Sequence, residues 1–227
     1  AVIGPLNVSA EYVDRISKGD IPKKITDNYN GDFNEIKINL NNCIDNLNGL
    51  IDEMNKMSSE HDKGDIDVKI DVSRFAGAYQ TMAKGVNDMV FGHIAVKQQA
   101  MACVKEFGEG NMDAPLEQFP GKKRFINDTI EQVRVNIKAL VADANMLARA
   151  AVEGKLATRA DAGKHKGDFR AIVEGVNKTL DAVINPLKVA ADYVDKISRG
   201  EIPPEITDNY NGDFNDIKNN LNACVKN

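Results

Sequence analysis

The chain of 227 residues contains no tryptophan, and only 6% of its residues are aromatic. It therefore lacks the bulky side chains that usually anchor one large globular core. The formal net charge is −5, and no run of five basic residues occurs, so nothing could neutralise a line of phosphates. These shortages argue against a single large core and against a nucleic-acid partner.

Cysteine and long apolar runs are also scarce. Cys43, Cys103 and Cys224 lie far apart, at neither a disulfide nor a zinc spacing, which predicts a reducing, cytosolic setting. No apolar stretch approaches the roughly 20 residues that span a bilayer, so we expect no membrane span in this segment. The sequence shows no metal-ligand cluster, no phosphate-binding loop after a strand and no nucleophile beside a base. We therefore expect no catalytic site, no metal and no cofactor.

One short phrase occurs five times: a glycine, an aliphatic residue or methionine two positions later, and an aliphatic or small residue six positions later. The glycines lie 44 to 46 residues apart, a period typical of an array of one supersecondary unit. The copies are Gly19, Ile21 and Ile25; Gly64, Ile66 and Ile70; Gly110, Met112 and Leu116; Gly154, Leu156 and Ala160; and Gly200, Ile202 and Ile206. They predict five modules, at residues 1–48, 49–92, 93–138, 139–184 and 185–227.

Apolar residues recur at helical spacing between these phrases. Tyr79, Met82, Val86 and Met89, for example, follow one another in steps of three and four. Such a 3.5-residue period predicts left-handed coiled-coil packing, and glycine is a common helix stop. Because each pattern runs unbroken from one phrase to the next, we expect the second helix of one module to continue into the first helix of the next.

The segment between the two helices of a module has about a dozen residues, whereas antiparallel helices are joined by about 2–5 residues. A dozen extended residues can run back along a helix of about 16 residues. We therefore expect the two helices to be parallel, with the connector aliphatics packed on their outside. One such pair leaves its apolar seam open, so the sequence predicts a parallel four-helix bundle formed by a homodimer.

Two helices joined by a glycine–hydrophobic–hydrophobic connector resemble the HAMP domains of bacterial chemoreceptors and sensor histidine kinases, and the repetition resembles a poly-HAMP array. In that family the first helix typically begins with a proline, which Pro5 and Pro186 match. The second helix typically begins with an acidic residue and a glycine. The matching positions here are Asp32 and Phe33, Asp168 and Phe169, and Asp213 and Phe214, each pair after a glycine. The second and third modules depart from this pattern.

The resemblance implies an all-α fold and a role in signal relay. Such a segment belongs to a dimeric receptor and conveys conformational change between an input and an output domain of the same chain by switching helix packing. We prefer a chemoreceptor-like, methyl-accepting parent because no catalytic segment is recognisable. The alternatives are a relay segment of a sensor histidine kinase, in two-component signalling, and a passive coiled-coil spacer. The implied location is cytoplasmic, including the cytoplasmic part of an inner-membrane receptor.

Overall fold

A computed structural model describes residues 2–226, which form six α-helices and no strand. The helices are α1 (Ile3–Ser17), α2 (Asp32–Asp62), α3 (Gly77–Gly108), α4 (Arg124–Val152), α5 (Gly167–Ser198) and α6 (Asp213–Lys226). Short 3-10 turns occur at Val72–Arg74, Gly121–Lys123 and Ala162–Lys164. The all-α fold predicted from the apolar periodicity is confirmed.

The chain divides into two compact units, residues 1–102 and 103–227. The first unit contains α1, α2 and most of α3, and the second contains the end of α3 with α4, α5 and α6. One apolar cluster of the first unit is formed by α2, α3 and the segment between them, and consists of Leu50, Met57, Ile70, Phe75 and Ala83.

Helices α2 to α5 are unusually long, at 29 to 32 residues each. At 1.5 Å per residue each extends over about 45 Å. The prediction of unbroken helices between the glycine phrases is confirmed. Among residues 2–226, no helix combines the length and apolarity that crossing a bilayer requires.

The phrase glycines end the helices, as predicted. Gly64 has φ +97°, a backbone conformation that side chains with a Cβ rarely adopt. Its own N–H donates to the His61 carbonyl at 2.9 Å, and the next N–H, of Asp65, donates to the Glu60 carbonyl at 3.0 Å. This is the hydrogen-bond pattern of a Schellman motif. Positive φ values also occur at Gly19, Gly110, Gly154 and Gly200.

The sequence predicts a new helix or a bend at Pro186, but α5 runs unbroken through this position. The start of a separate helix at this position is therefore excluded. The missing hydrogen bond affects the carbonyl of Ala182, an exposed residue where water can take its place. Pro5 lies in the first turn of α1, where amides have no intrahelical partner in any case.

We name the segments between the helices the first to fifth connectors: residues 18–31, 63–76, 109–123, 153–166 and 199–212. The second connector runs back along α2. Its Val68 carbonyl lies 3.0 Å from His61 Nε2, near the end of α2, and the later Asp71 N–H donates to Glu53, two turns earlier in that helix.

The same connector also runs antiparallel to α3. Ile70 is hydrogen-bonded to Asn87, in the middle part of α3, and the chain then continues to Gly77, where α3 begins. Since one connector is antiparallel to both helices, α2 and α3 are parallel to each other. The fifth connector also runs antiparallel to the helix after it. Its successive residues contact successively earlier residues of α6: Glu205 pairs with Lys226, Ile206 with Asn222, and Asp208 with Lys218. Pro204 accepts a hydrogen bond from Tyr193 of α5.

Candidate functional site

The second hydrophobic residue of the repeated phrase is buried in four of the five copies. Ile70 is only 2% exposed, and Ile25, Ala160 and Ile206 are also buried. The third connector differs, because Leu116 is half-buried while Phe119 and Ala114 are buried. Its 3-10 turn, Gly121–Lys123, runs directly into α4, whereas the turns of the second and fourth connectors end two residues before the next helix starts.

The first hydrophobic residue of the phrase is much more accessible. Ile202 is 78% exposed. Ile66 and Leu156 are also exposed, and Ile21 and Met112 are half-buried.

An asparagine on the following helix holds the buried connector residue by both of its backbone polar groups. The Ile70 N–H donates to Asn87 Oδ1 at 3.0 Å, and Asn87 Nδ2 donates to the Ile70 carbonyl at 2.9 Å. The same pair of bonds joins Asn41 with Ile25, Asn177 with Ala160, and Asn222 with Ile206. We name Asn41, Asn87, Asn177 and Asn222 the clamp asparagines. They supply the partners that a half-buried, extended backbone needs.

The clamp asparagines were not identified from the sequence, although a signal was present. Each lies 16 or 17 residues after the buried connector residue. Each also lies eight residues after an aromatic residue in the first turn of its helix, as Asn87 follows Tyr79. Asparagine is a poor helix former, so its recurrence at one helical register indicates a role.

The third connector is held by an arginine instead. Arg134 lies nine residues after Phe125, the aromatic residue in the first turn of α4, and so one position beyond the register of the clamp asparagines. Its guanidinium donates to the Met112 and Ala114 carbonyls, both at 2.6 Å, and lies 4.8 Å from the ring centre of Phe107. Its planar fork of donors can satisfy two separate carbonyls, which an asparagine amide cannot do at this distance.

Two further contacts hold the third connector to α4. Lys138 pairs with Asp113, and its ammonium holds the pKa of that carboxyl below the ordinary value. Asn127 Oδ1 accepts from the Phe119 N–H at 2.9 Å, and Asn127 Nδ2 donates to the Glu117 carbonyl at 2.7 Å. Three side chains of α4, those of Asn127, Arg134 and Lys138, thus bind the third connector.

The second connector is also tied to the helix before it. Glu53 of α2 is buried, accepts from the Asp71 N–H at 3.3 Å and pairs with Arg74. Asp71 caps the 3-10 turn by accepting from the Ser73 N–H at 3.0 Å and the Ser73 hydroxyl at 2.6 Å. These two bonds from Ser73 lower the pKa of Asp71 below its ordinary value.

The fourth connector has the same 3-10 turn and a comparable tie. Asp161 caps the turn by accepting from the Gly163 N–H at 2.9 Å. His165, at the end of the turn, is buried, and its Nε2 lies 2.6 Å from Asp143 Oδ2 of α4. An acid–base pair with a buried histidine therefore joins this connector to the preceding helix.

The acidic residues expected at second-helix starts lie in first turns. Asp32 begins α2, Asp213 begins α6, and Asp168 is the second residue of α5. A carboxylate at this position complements the partial positive charge of a helix N-terminus. The aromatic residues that follow, Phe33, Phe169 and Phe214, are half-buried.

The apolar seams of the long helices remain open along the chain. Met89, for example, is 60% exposed. Other exposed seam residues are Met54, Met82, Val133, Ile172, Val176, Val183, Leu187 and Val194. An amphipathic helix face of this kind is normally covered by another helix.

Family models match most of the chain. The HAMP domain model matches residues 1–49 and 164–227, and the model of HAMP N-terminal domain 3 matches residues 96–138. The model of the second HAMP domain of methyl-accepting chemotaxis protein McpB matches residues 45–91.

The chain is also similar to a characterised class of receptor. Methyl-accepting chemotaxis protein McpB of Pseudomonas aeruginosa is 37% identical over 106 residues. The alignment covers 46% of this chain and 16% of the length of that receptor.

Proposed function

The chain belongs to the HAMP domain family, and on that premise we propose that it relays conformational change between an input and an output domain of a dimeric receptor. The relay works by a switch in helix packing, without a catalytic step in this span. The observation that carries the proposal is the series of unbroken helices of 29 to 32 residues, linked by connectors that are anchored on specific side chains. Stiff parallel helices can transmit rotation, tilt or a change of spacing over their whole length.

The working form in this proposal is a parallel homodimer. The open seams, with residues such as Met89, and the exposed connector residue Ile202 would be covered by the same elements of a second copy. A twofold axis parallel to the helices of a module places each seam against its own copy, as an isologous interface requires. The five modules proposed above, bounded at residues 48, 92, 138 and 184, would then each be a four-helix bundle.

A relay needs two packings of similar free energy, because a signal shifts a population only by its differential affinity for them. Typical couplings between sites are about 1–3 kcal/mol. Small or polar seam residues such as Ala100, Ala144 and Thr179 specify one packing only loosely. We propose that successive modules adopt different packings and invert or relay the input at each joint.

The proposed parent is a chemoreceptor-like protein in which the array lies in the cytoplasm. The similarity to McpB, named as a methyl-accepting chemotaxis protein, favours this parent over a sensor histidine kinase. The domains on either side of the array would then be its functional partners. A passive coiled-coil spacer, which fixes a distance without changing its packing, is the competing hypothesis.

The variant Ile25→Ala in the parent receptor separates relay from spacer. Ile25 is a buried residue of the first connector, and its truncation to alanine should favour one packing of the first module over the other. A relay is then locked, with receptor output at one extreme whatever the stimulus. The same measurement on Ile21→Ala tests the more accessible connector residue.

The matched control is Ile38→Ala, an exposed aliphatic position of α2 outside the seam. This variant should leave the output responsive. If Ile25→Ala lowers thermal stability but leaves the response to stimulus unchanged, the segment is a spacer and the relay proposal is wrong.

A further inference from the structure

The second and fourth connectors are each bonded to the preceding helix through a pair of titratable side chains of which one is buried, and to the following helix through a clamp asparagine. In the second connector, Glu53 of α2 binds the Asp71 N–H and Arg74, while Asn87 of α3 clamps Ile70. The second connector thus links two parallel helices through polar side-chain contacts, one set with α2 and one with α3.

The fourth connector repeats this arrangement in the other unit. Asp143 of α4 binds His165 at 2.6 Å, and Asn177 of α5 clamps Ala160. The His165 side chain is buried, whereas Asp143 is partly accessible to solvent.

The two acids occupy one position of the repeat. Glu53 lies eleven residues before Gly64, and Asp143 lies eleven residues before Gly154. The same position carries Val8 in the first module, Gln99 in the third and Val189 in the fifth. A valine side chain has no polar atom with which to bind a connector. The contact that Glu53 and Asp143 make with their connectors is therefore impossible at Val8 and Val189.

The first and fifth connectors are bonded mainly to the second helix of their modules. Besides Asn41, the first connector uses Lys24, which lies 2.6 Å from Asp45 of α2. Its side-chain contact with α1 is the exposed ion pair between Asp20 and Arg15. In the fifth connector an exposed bond from the Tyr193 hydroxyl to the Pro204 carbonyl reaches back to α5. An exposed hydrogen bond exchanges with water at little cost, unlike a bond to a buried acid.

The residue eleven positions before the phrase glycine determines how easily the first helix of a module can move against its connector. Sliding or rotating the first helix of the second module against its connector would separate Glu53 from Arg74 and leave a buried carboxylate unpaired, which is strongly unfavourable. The same motion at Val8 only exchanges apolar contacts, which have no preferred direction.

We propose that Glu53 and Asp143 are positioning residues that make the second and fourth modules internally rigid. The first and fifth modules, with Val8 and Val189 at this position, are the ones whose two helices move against each other. The array then contains rigid transmitting modules and deformable switching modules. This inference rests on the proposed relay for its biological meaning, but the rigidity itself is a property of one chain.

The test measures distances between nitroxide labels on the first and second helices of one module, by pulsed electron spin resonance on the full chain. Labelled chains are diluted with unlabelled ones, and the native cysteines are replaced by alanine. Labels at the exposed positions 55 and 84 report the second module, and labels at the equivalent exposed positions 10 and 38 report the first. We expect a distance distribution in the second module about half as wide as in the first.

The decisive variant is Glu53→Val, which places the residue type of the first module in the second. We expect it to broaden the second-module distribution to the width of the first. Glu53→Gln, which keeps an acceptor for the Asp71 N–H, should broaden it less, and Asp52→Val, at an exposed neighbouring position, should leave it unchanged. If Glu53→Val does not fold, as judged by helical circular dichroism, Asp143→Val with labels in the fourth module takes its place.

Equal widths in the two wild-type modules, or an unchanged width in the folded valine variant, would overturn the inference. Neither result depends on signalling. Failure of the relay itself would be seen separately, as a receptor that keeps responding with Ile25→Ala.

Discussion

Asn87 and Ile70 are joined by two hydrogen bonds, of 3.0 and 2.9 Å, that together satisfy both backbone polar groups of the isoleucine. Ile70 is also among the most deeply buried residues of the chain. The hydrophobic residue that defines the repeat is thus fixed by a polar side chain from the next helix. The connector is positioned by this bond as well as by apolar burial.

Removal of a clamp asparagine should destabilise its module. Asn87→Ala loses two neutral hydrogen bonds, and at about 1 kcal/mol each the free energy of unfolding should fall by about 2 kcal/mol. Urea unfolding followed by circular dichroism measures this difference. The control Asn48→Ala, at an exposed position of α2, should change it by less than about 0.5 kcal/mol. Equal effects of the two substitutions would mean that the clamp contributes nothing.

Arg134 should be hard to replace, even by the residue that other modules use. Arg134→Asn cannot reach both the Met112 and the Ala114 carbonyls, so we expect a loss of roughly 3 kcal/mol, since hydrogen bonds from charged groups contribute more than neutral ones. Arg134→Lys keeps the charge but not the planar fork, and should fall between the wild type and the asparagine variant. If Arg134→Asn is as stable as the wild type in urea, the third connector is held by its other contacts.

Low pH should loosen the second connector. The pKa of Asp71 is lowered by the bonds from Ser73, so its carboxylate contributes stability that is present above the unfolded pKa of about 3.9 and is lost as the pH falls through the lower folded value. The thermal midpoint of Asp71→Asn should therefore lie below that of the wild type at pH 7 and approach it below about pH 4.

The matched control for this pH series is Asp52→Asn, at an exposed position of α2. It should follow the wild-type midpoint across the whole range. A constant difference between Asp71→Asn and the wild type from pH 3 to pH 7 would show that the charge of Asp71 makes no contribution.

The regular part of the fold was predictable because it depends on local, periodic signals. Seam residues such as Tyr79 and Met82 recur every three or four positions, and Gly64 marks a helix stop by its backbone freedom alone. The clamp asparagines and Arg134 were missed because their partners lie 16 or more residues away and depend on how the connector folds back.

Two expectations from the sequence, at Leu116 and Pro186, differ from what the structure shows. Leu116 matches the repeat but is only half-buried. The buried residues of the third connector are Ala114 and Phe119, whose backbone groups are bound by Arg134 and Asn127. Pro186 was expected to mark a helix start or a bend, and α5 continues through it without a break. The carbonyl that loses its hydrogen bond belongs to the exposed Ala182, so water can take the place of the missing N–H.

Replacement of Pro186 by alanine should stabilise the chain. A proline in a helix interior is unfavourable by up to about 3 kcal/mol relative to alanine, so Pro186→Ala should raise the free energy of unfolding by an amount within that limit. Pro5→Ala, in the first turn of α1, is the control and should have little effect. A loss of stability in Pro186→Ala would indicate that the proline provides a conformation that α5 needs.

The central claim is that two chains pair side by side in the same direction along their seams. Disulfide formation between subunits tests it directly, in a chain whose native cysteines are replaced by alanine. Met89→Cys, on the seam, should cross-link rapidly to its own copy at micromolar concentration, whereas Met101→Cys, which is as exposed at 63% but lies off the seam, should not. Equal rates at the two positions, or a monomer by sedimentation, would contradict the account.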